Sequence, residues 1–367
     1  MTNAYDGGVE GSAVRSDPAG STVSRTPEAP MGVPPVAATL ATAGAPGAEV
    51  PGVGAPGVGV PGARAAGASE AGVAITPERA EQVAPRPLPD TRTRVLVMGI
   101  VNRTQDSFFD EGRTWGLEAA VRAGISAAEA GADLIDVGGV KFAPGDPLPP
   151  AEEIDRVVPV ITALRRELPA QVLLSVDTFH AVVAEASIAA GADLINDTTG
   201  LSDPEMAATV ARTGASLVIT HSVAAPRQAY PRPQYDDVAE EVREFLAARL
   251  ERALEAGIDR ERIVLDPGPD LNKSTLQTLE VLRDWSEYTA FGLPVLAALS
   301  RKDVIGESLG LPKEERLEGS LAAAAWAVRQ GARILRVHDV QATARFVQML
   351  EVIAGWRDPA GPLVHNA

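Results

Sequence analysis

From residue 94 onward, short apolar runs in this chain close repeatedly on hydrogen-bonding side chains. The first run ends in Asn102, the second in Asp136, the third in Asp177 and the fourth in Asn196 and Asp197. Thr220 and His221 follow the fifth, Asp266 the sixth, Ser300-Arg301-Lys302 the seventh, and Arg336 with His338 the eighth. Carboxylates beside an asparagine in apolar surroundings suit a flat ligand with an array of N–H donors, such as an amino-pyrimidinone ring. A lysine could donate to its carbonyl or ring nitrogen, and an arginine could stack on its face. An Asn-Asp-Arg-His set nearer the rim suits a magnesium-bound phosphate or pyrophosphate. One such residue is explained by helix capping or solvation. All eight together call for a ligand, because buried polar groups are costly without partners. Other chemistries find no support: the 4 histidines show no H-x-x-x-H spacing for zinc, and there is no G-x-S-x-G.

Positioning those residues requires a repeated element. Strands are expected at 95–101, 133–137, 171–176, 193–196, 216–220, 262–266, 294–299 and 333–337, with helices such as 117–130, 151–167, 180–190, 236–256, 315–330 and 341–354 between them. Gly-Ala opens GADLIDV, GADLIND, GASLVITH and GARILRV, as expected where a helix ends in a left-handed glycine and a buried strand begins. Eight strand–helix units predict a (β/α)8 TIM barrel, whose chemistry gathers at the C-terminal mouth. A doubly wound open sheet is the alternative, but no G-x-G-x-x-G follows the first strand.

The rest of the 367 residues has another texture. VPGVGAPGVGVPGARAAGAS (50–69) cannot bury enough surface to offset its ordering cost. Residues 1–90 are therefore expected to form a disordered Pro/Gly/Ala-rich tail, 91–358 the barrel and 359–367 a short C-terminal tail. The net charge of −16 disfavours a nucleic-acid partner, no basic run suggests a membrane surface, and no apolar run is long enough to span a bilayer. With 0 cysteines and no secretory leader pattern at the start, a cytoplasmic protein is expected.

NRTQDSF (102–108), IDVGG (135–139), SVDT (175–178), LIND (194–197), THS (220–222), LDPG (265–268), SRK (300–302), ERLEGSLAAAAWA (315–327) and RVHDV (336–340) occur in the order found in dihydropteroate synthase. The resemblance covers about 94–355 and implies a pterin-binding barrel of folate biosynthesis. In that family p-aminobenzoate displaces pyrophosphate from the methyl carbon of a dihydropterin. By position, the resemblance implies that Asp177, Asn196 and Asp266 bind the pterin edge, that Lys302 reaches its carbonyl and ring nitrogen, and that Arg336 covers its face. It implies further that Asn102 helps hold Mg2+ and pyrophosphate, that Arg336 and His338 contact phosphate oxygens, and that the protein is a homodimer. Arg336, Lys302 and His338 are thus the candidate catalytic residues.

The second-substrate layer departs from the family pattern. Where the family reads Gly-Gly-Glu-Ser-Thr-Arg-Pro-Gly, this chain has GGVKFAPG, so Val140, Lys141, Phe142 and Ala143 replace Glu-Ser-Thr-Arg. Lys141 supplies a point charge without the bidentate fork of an arginine. After Ser-Arg-Lys the family places a serine whose hydroxyl and amide receive the carboxylate of p-aminobenzoate; here Asp303 stands instead. Gln105, THSVAAP and DPGPDLNK are further departures, the last replacing a Gly-Phe-Gly-Lys sequence. These changes predict a homologue that binds a dihydropterin (pyrophosphate) but condenses it with p-aminobenzoate weakly or not at all, leaving its standing as an enzyme open. The alternatives are a functional dihydropteroate synthase and a methylfolate-binding methyltransferase-type barrel.

Overall fold

The structure is a computed structural model that describes residues 84–102, 113–140, 142, 144–224, 226–228 and 234–365. The tail as far as residue 83, the loop bearing Gln105, and Lys141 and Ala143 lie outside the described residues. The rest forms the (β/α)8 barrel that the strand count predicts. Eight parallel strands close on themselves in sequence order: β1 (Leu96–Asn102), β2 (Leu134–Gly138), β3 (Leu173–Asp177), β4 (Leu194–Asp197), β5 (Ser216–Thr220), β6 (Ile263–Asp266), β7 (Val295–Ala297) and β8 (Ala332–Val337). Pairing of Leu96 with Ile334 and Met98 with Arg336 closes the ring. The helices are α1 (Arg113–Glu129), α2 (Pro150–Glu167), α3 (Ala181–Ala189), α4 (Met206–Thr213), α5 (Val238–Glu255), α6 (Thr275–Arg283), α7 (Trp285–Thr289), α8 (Asp303–Leu309), α9 (Leu317–Arg329) and α10 (Val340–Ile353). None of the described helices is long and apolar enough to cross a membrane.

The two-residue period of a strand explains how one sequence builds both core and site. Leu96, Met98, Leu134, Leu173, Leu194, Val218, Val264, Leu296 and Ile334 form one cluster that plugs the barrel. Their neighbours, among them Val97, Ile135, Leu174, Ile195, Leu217, Leu265 and Leu335, belong to the layer under the helices. Two residues on from the plug, the same inward face carries Asp136, Ser175, Asn196, Thr220, Asp266 and Arg336. Six of the eight strands therefore spend one inward position on packing and the next on the mouth, while β1 and β7 continue with Ile100 and Ala298. Gly131, Gly191 and Gly331 enter β2, β4 and β8 at φ of 103°, 109° and 106°. Those backbone angles require glycine and account for the Gly-Ala punctuation.

Residues 84–90 differ from the expected tail. Arg86 donates from its backbone N and Nε to Asp193 Oδ1, both at 3.0 Å, and from Nη2 to Asp193 Oδ2 at 2.7 Å. Leu88 packs against the barrel plug. Three prolines made this stretch read as tail, but one arginine and one leucine supply a part-buried ion pair and an apolar stopper. Asp193 also accepts from Arg165 Nη2 at 2.7 Å and from Leu174 N at 2.8 Å, so the segment joins a network that ties β3 to β4.

Candidate functional site

Above the plug lies a cavity of about 190 Å³, lined by Asp177, Asn196, Thr198, Asp266, Lys302, Arg336 and the apolar Val140, Phe142, Phe179, Pro226, Leu271 and Ala298. All five residues expected at the pterin edge and face line it, together with two residues of the altered second-substrate loop. Asn102, His338 and Asp303 do not line it. Nothing is described for Lys141 and Ala143.

The floor is organised by Asp136, which the sequence placed at a strand end without a role. Fully buried, it accepts from Ser175 Oγ at 2.5 Å, Asn196 Nδ2 at 3.1 Å and Arg336 Nε at 2.6 Å. Arg336 Nη2 donates to Asp177 Oδ2 at 2.8 Å. The guanidinium is thus clamped along one edge by two carboxylates at the cavity lining, a geometry that lysine could not reproduce. Burial works against its charge, but Asp136 and then Asp177 outweigh that and raise its pKa. Asp177 is itself pushed up to about 7, by burial first, against the pull of Arg336 and helped by Asp136 and Asp197.

Donation to Asp136 fixes which way the Asn196 amide faces. Its Oδ1 is left buried without a partner, an acceptor that an N–H of a ligand would satisfy. Across the floor, Asp266 Oδ1 accepts from Gly268 N at 2.8 Å. Burial raises the Asp266 pKa, with Lys302 opposing most strongly. Burial likewise lowers that of Lys302, against the pull of Asp266 and Asp270. Carboxylates at Asp177 and Asp266, a free carbonyl at Asn196 and an ammonium at Lys302 can therefore grip a flat ring that has N–H groups on one edge and acceptors on another.

Ser-Arg-Lys sends its side chains three ways. Ser300 Oγ accepts from His338 N at 3.1 Å and lies 3.2 Å from His338 Nδ1. Arg301, at φ 57°, forms a bidentate pair with Asp339 at 2.7 Å on both arms, which removes it from the site. Lys302 alone reaches the cavity, and its Nζ also donates to Pro269 O. His338 is pushed down to about 4, by burial and then by Arg336 and Lys313, so at neutral pH it offers a hydrogen bond rather than a charge. Asp197 proves structural: it accepts from Thr199 N, Thr199 Oγ1 and Leu201 N at 2.7–2.8 Å.

The sequence put a carboxylate against the second substrate at Asp303. Its side chain is instead 79% exposed and pairs with Arg316 Nη1 at 2.9 Å. A different carboxylate holds the amide at that helix start. Asp270, at φ 60°, accepts from Val304 N through Oδ2 at 3.0 Å. The clue was present in DPGPDLNK: Asp270 and Asn272 stand where the family has glycines, and both adopt positive φ. Behind the floor, the carboxylate oxygens of the fully buried Glu153 meet no hydrogen-bond partner. Burial, and then Asp177, push that group up to about 7 against the Thr178 hydroxyl and Arg156.

For magnesium, no group of three or more described His, Asp or Glu residues could act as a ligand set. Asn102, exposed at the end of β1, offers one amide oxygen near Gly138. That fits an ion which keeps its waters and is held chiefly by substrate phosphates.

Comparison with known proteins gives one consistent result. The family model described as "Pterin binding enzyme" matches residues 98–338. "Inactive dihydropteroate synthase 2" of Mycobacterium tuberculosis is 48% identical over 272 residues, 72% of this chain and 85% of that protein. Dihydropteroate synthase of Haemophilus influenzae is 38% identical over 259 residues, 70% of this chain and 94% of that protein. Among solved structures, Xanthomonas albilineans dihydropteroate synthase with 4-aminobenzoic acid superposes with a TM-score of 0.67 at 42% identity, covering 73% of this chain and 94% of that one.

Proposed function

Since the chain belongs to the pterin-binding enzyme family and is a diverged dihydropteroate synthase homologue, we propose that it binds a dihydropterin pyrophosphate and condenses it with p-aminobenzoate weakly or not at all. The observation that carries the first half is the buried, unpartnered Asn196 Oδ1 set among Asp177, Asp266, Lys302 and Arg336 in one cavity. Asp177, Asn196 and Asp266 receive the N–H edge of the ring, Lys302 donates to its carbonyl and ring nitrogen, and the clamped plane of Arg336 supports its face.

The reaction of this family needs little acid–base work. The C–O bond between the pterin methylene and pyrophosphate breaks, the resonance-stabilised cation is attacked by a neutral arylamine, and the amine then loses a proton. What the chain contributes is positioning and charge stabilisation. Arg336 in the cavity, and a ring N–H of His338 beyond its lining, are the groups that would contact the departing phosphate. Magnesium, when bound, would neutralise that leaving group, with Asn102 as its protein oxygen.

The second half of the reaction is where support thins. Of the residues replacing Glu-Ser-Thr-Arg, Val140 and Phe142 present only apolar surface to the cavity. The Val304 amide, next to position 303 whose amide in the family receives the substrate carboxylate, is already taken by Asp270. The mycobacterial relatives at 48% and 45% identity carry the name "inactive", which accords with this reading. The barrel is read as 91–358 preceded by the anchored segment 84–90, working in the cytoplasm as a homodimer.

Calorimetry with a dihydropterin, and pyrophosphate release with p-aminobenzoate and magnesium, test the proposal together. Pterin binding with turnover below about 0.1 s⁻¹, near the low end of ordinary enzyme rates, is expected. Faster turnover overturns the inactive reading, and failure to bind pterin overturns the whole.

A further inference from the structure

Beneath the cavity sits a second lysine that the family reaction does not use. Lys273 is 7% exposed, and its Nζ donates to Gly268 O at 2.9 Å and Leu271 O at 3.1 Å. Its third contact is His221 Nδ1 at 2.8 Å. An ammonium has three donors, so every one is used. For His221 to accept at Nδ1 its proton must sit on Nε2, and the ring packs edge-on against Phe245 with centroids 4.8 Å apart. Burial and then the Lys273 charge push His221 down to about 2, which keeps it a neutral acceptor.

The two carbonyls are the ends of the turn from Gly268 to Leu271, and that turn carries three parts of the floor. Its first amide, Gly268 N, orients the Asp266 carboxylate. Its second residue, Pro269, gives its carbonyl to Lys302 Nζ. Its last, Leu271, lines the cavity. Gly268, at φ 64°, lies so close to β5 that an added Cβ would stand 2.2 Å from His221 O, and His221 N donates to Asp266 O at 2.8 Å. The turn is therefore stitched to the end of β5 by backbone on one side and by Lys273 on the other.

We propose that Lys273 is a positioning residue for the pterin site: its buried ammonium holds the 268–271 turn that aims Asp266 and Lys302. This role rests on the reading of Asp266 as the carboxylate that receives the pterin N–H edge. The charged groups acting on Lys273 are Asp266 from β6, Lys302 from the start of α8 and Asp270 from the turn, with His221 in contact from β5. Burial first, and Lys302 as well, bring Lys273 down to about 7 against the two carboxylates. Lys302, Lys273 and Arg336 all pull the Asp266 pKa down against burial. Removing the Lys273 charge raises it, so the acid limb of pterin binding moves to higher pH.

The test uses the full chain, a 7,8-dihydropterin as probe, and calorimetry from pH 5.5 to 8.5. Lys273→Gln keeps a donor for the turn and loses the charge. It should bind within about threefold of wild type at pH 8 and about tenfold more weakly at pH 5.5, for a limb displaced by roughly one unit. Lys273→Met loses both functions and should bind about tenfold more weakly at pH 8 and about a hundredfold more weakly at pH 5.5. A purely packing role would weaken binding equally at every pH. Folded variants with the wild-type affinity and the wild-type acid limb overturn the proposal. If neither variant folds, the Lys273 Cε resonance decides: its titration midpoint should fall in Asp266→Asn, and an unchanged midpoint overturns the coupling. A wild-type chain that binds no pterin overturns the functional reading and this role with it. A wild type that binds, beside variants that bind identically, overturns this role alone.

Discussion

Asp270 is the residue whose removal should do most to restore a second-substrate site. Its Oδ2 lies 3.0 Å from Val304 N, so a substrate carboxylate directed to that amide would come within about 4 Å of a fixed negative charge. Two unit charges at about 4 Å repel by roughly 1 kcal/mol in water and 4 kcal/mol at surface-like dielectric, which is about 10- to 1000-fold in affinity. Asp270→Gly should not damage the fold. The lost hydrogen bond costs about 1 kcal/mol, and relief of a non-glycine residue held at φ 60° returns about 1 kcal/mol. Asp303→Ser alone should change affinity less than about threefold, because Arg316 already pairs with that exposed carboxylate. The assay is equilibrium binding of p-aminobenzoate to the pterin- and pyrophosphate-loaded protein with magnesium. Asp270→Gly, with or without Asp303→Ser, should tighten it at least about tenfold. A folded variant with wild-type pterin affinity and unchanged p-aminobenzoate affinity refutes the assignment of Asp270 as occupant of the site.

Three other perturbations have definite outcomes. Asp136→Asn leaves Arg336 half-paired and turns an amide toward Asn196 Nδ2, so it should cost about 3 kcal/mol by denaturant melts and abolish pterin binding; a neutral effect would show that Asp136 is not the hub. Glu153 has a folded pKa of about 7 against an ordinary 4.5, so its stabilising protonation is complete below about pH 4.5 and is lost as pH rises through 7. Glu153→Gln should therefore stabilise by up to about 3 kcal/mol at pH 8 and by under about 1 kcal/mol at pH 5 in melts at the two pH values, and an equal effect at both would contradict the shift. A chain beginning at residue 91 should melt about 4–8 °C below one beginning at 84, as the Arg86–Asp193 pair and the Leu88 stopper together supply about 2 kcal/mol; equal melting would place the domain start at 91.

How much of this was legible in the sequence depends on the range of the interaction. A buried parallel strand announces itself locally, as an apolar run closing on a polar residue, and four of the eight also follow a helix-ending Gly-Ala. The polar residues near the strand ends were readable too, and the family resemblance singled out Asp177, Asn196, Asp266, Lys302 and Arg336 among them, all five of which line one cavity. What local pattern cannot supply is register around a closed ring. Asp136 meets Arg336 across 200 positions only because β8 pairs with β1 and β1 with β2. Arg86 reaches Asp193 across 107 positions from within a stretch whose composition says tail. Asp303 and Asp270 illustrate the same limit in reverse. Sequence order rightly puts Asp303 at the start of α8, but its side chain turns to Arg316, and the carboxylate on the Val304 amide comes from Asp270 in the turn after β6.

That contrast bears on how a pterin floor can be kept while the rim of the second-substrate site changes. Asp136, Asn196, Asp177 and Arg336 bond to one another across β2, β3, β4 and β8, so each is part of the barrel's stability as well as its site. Losing one leaves a buried partner unpaired, which costs several kcal/mol in a fold whose whole margin is about 5–15 kcal/mol. Among the described rim residues, Val140, Phe142 and Asp303 are not part of that network. Val140 and Phe142 contribute surface to the cavity, and Asp303 stands in solvent against a single arginine, so substitutions there leave the barrel intact. An intact floor is therefore weak evidence for turnover and good evidence for pterin binding, while the rim reports on catalysis. It is the rim, with Asp270 on the Val304 amide, that argues for a protein that holds a pterin without completing the condensation.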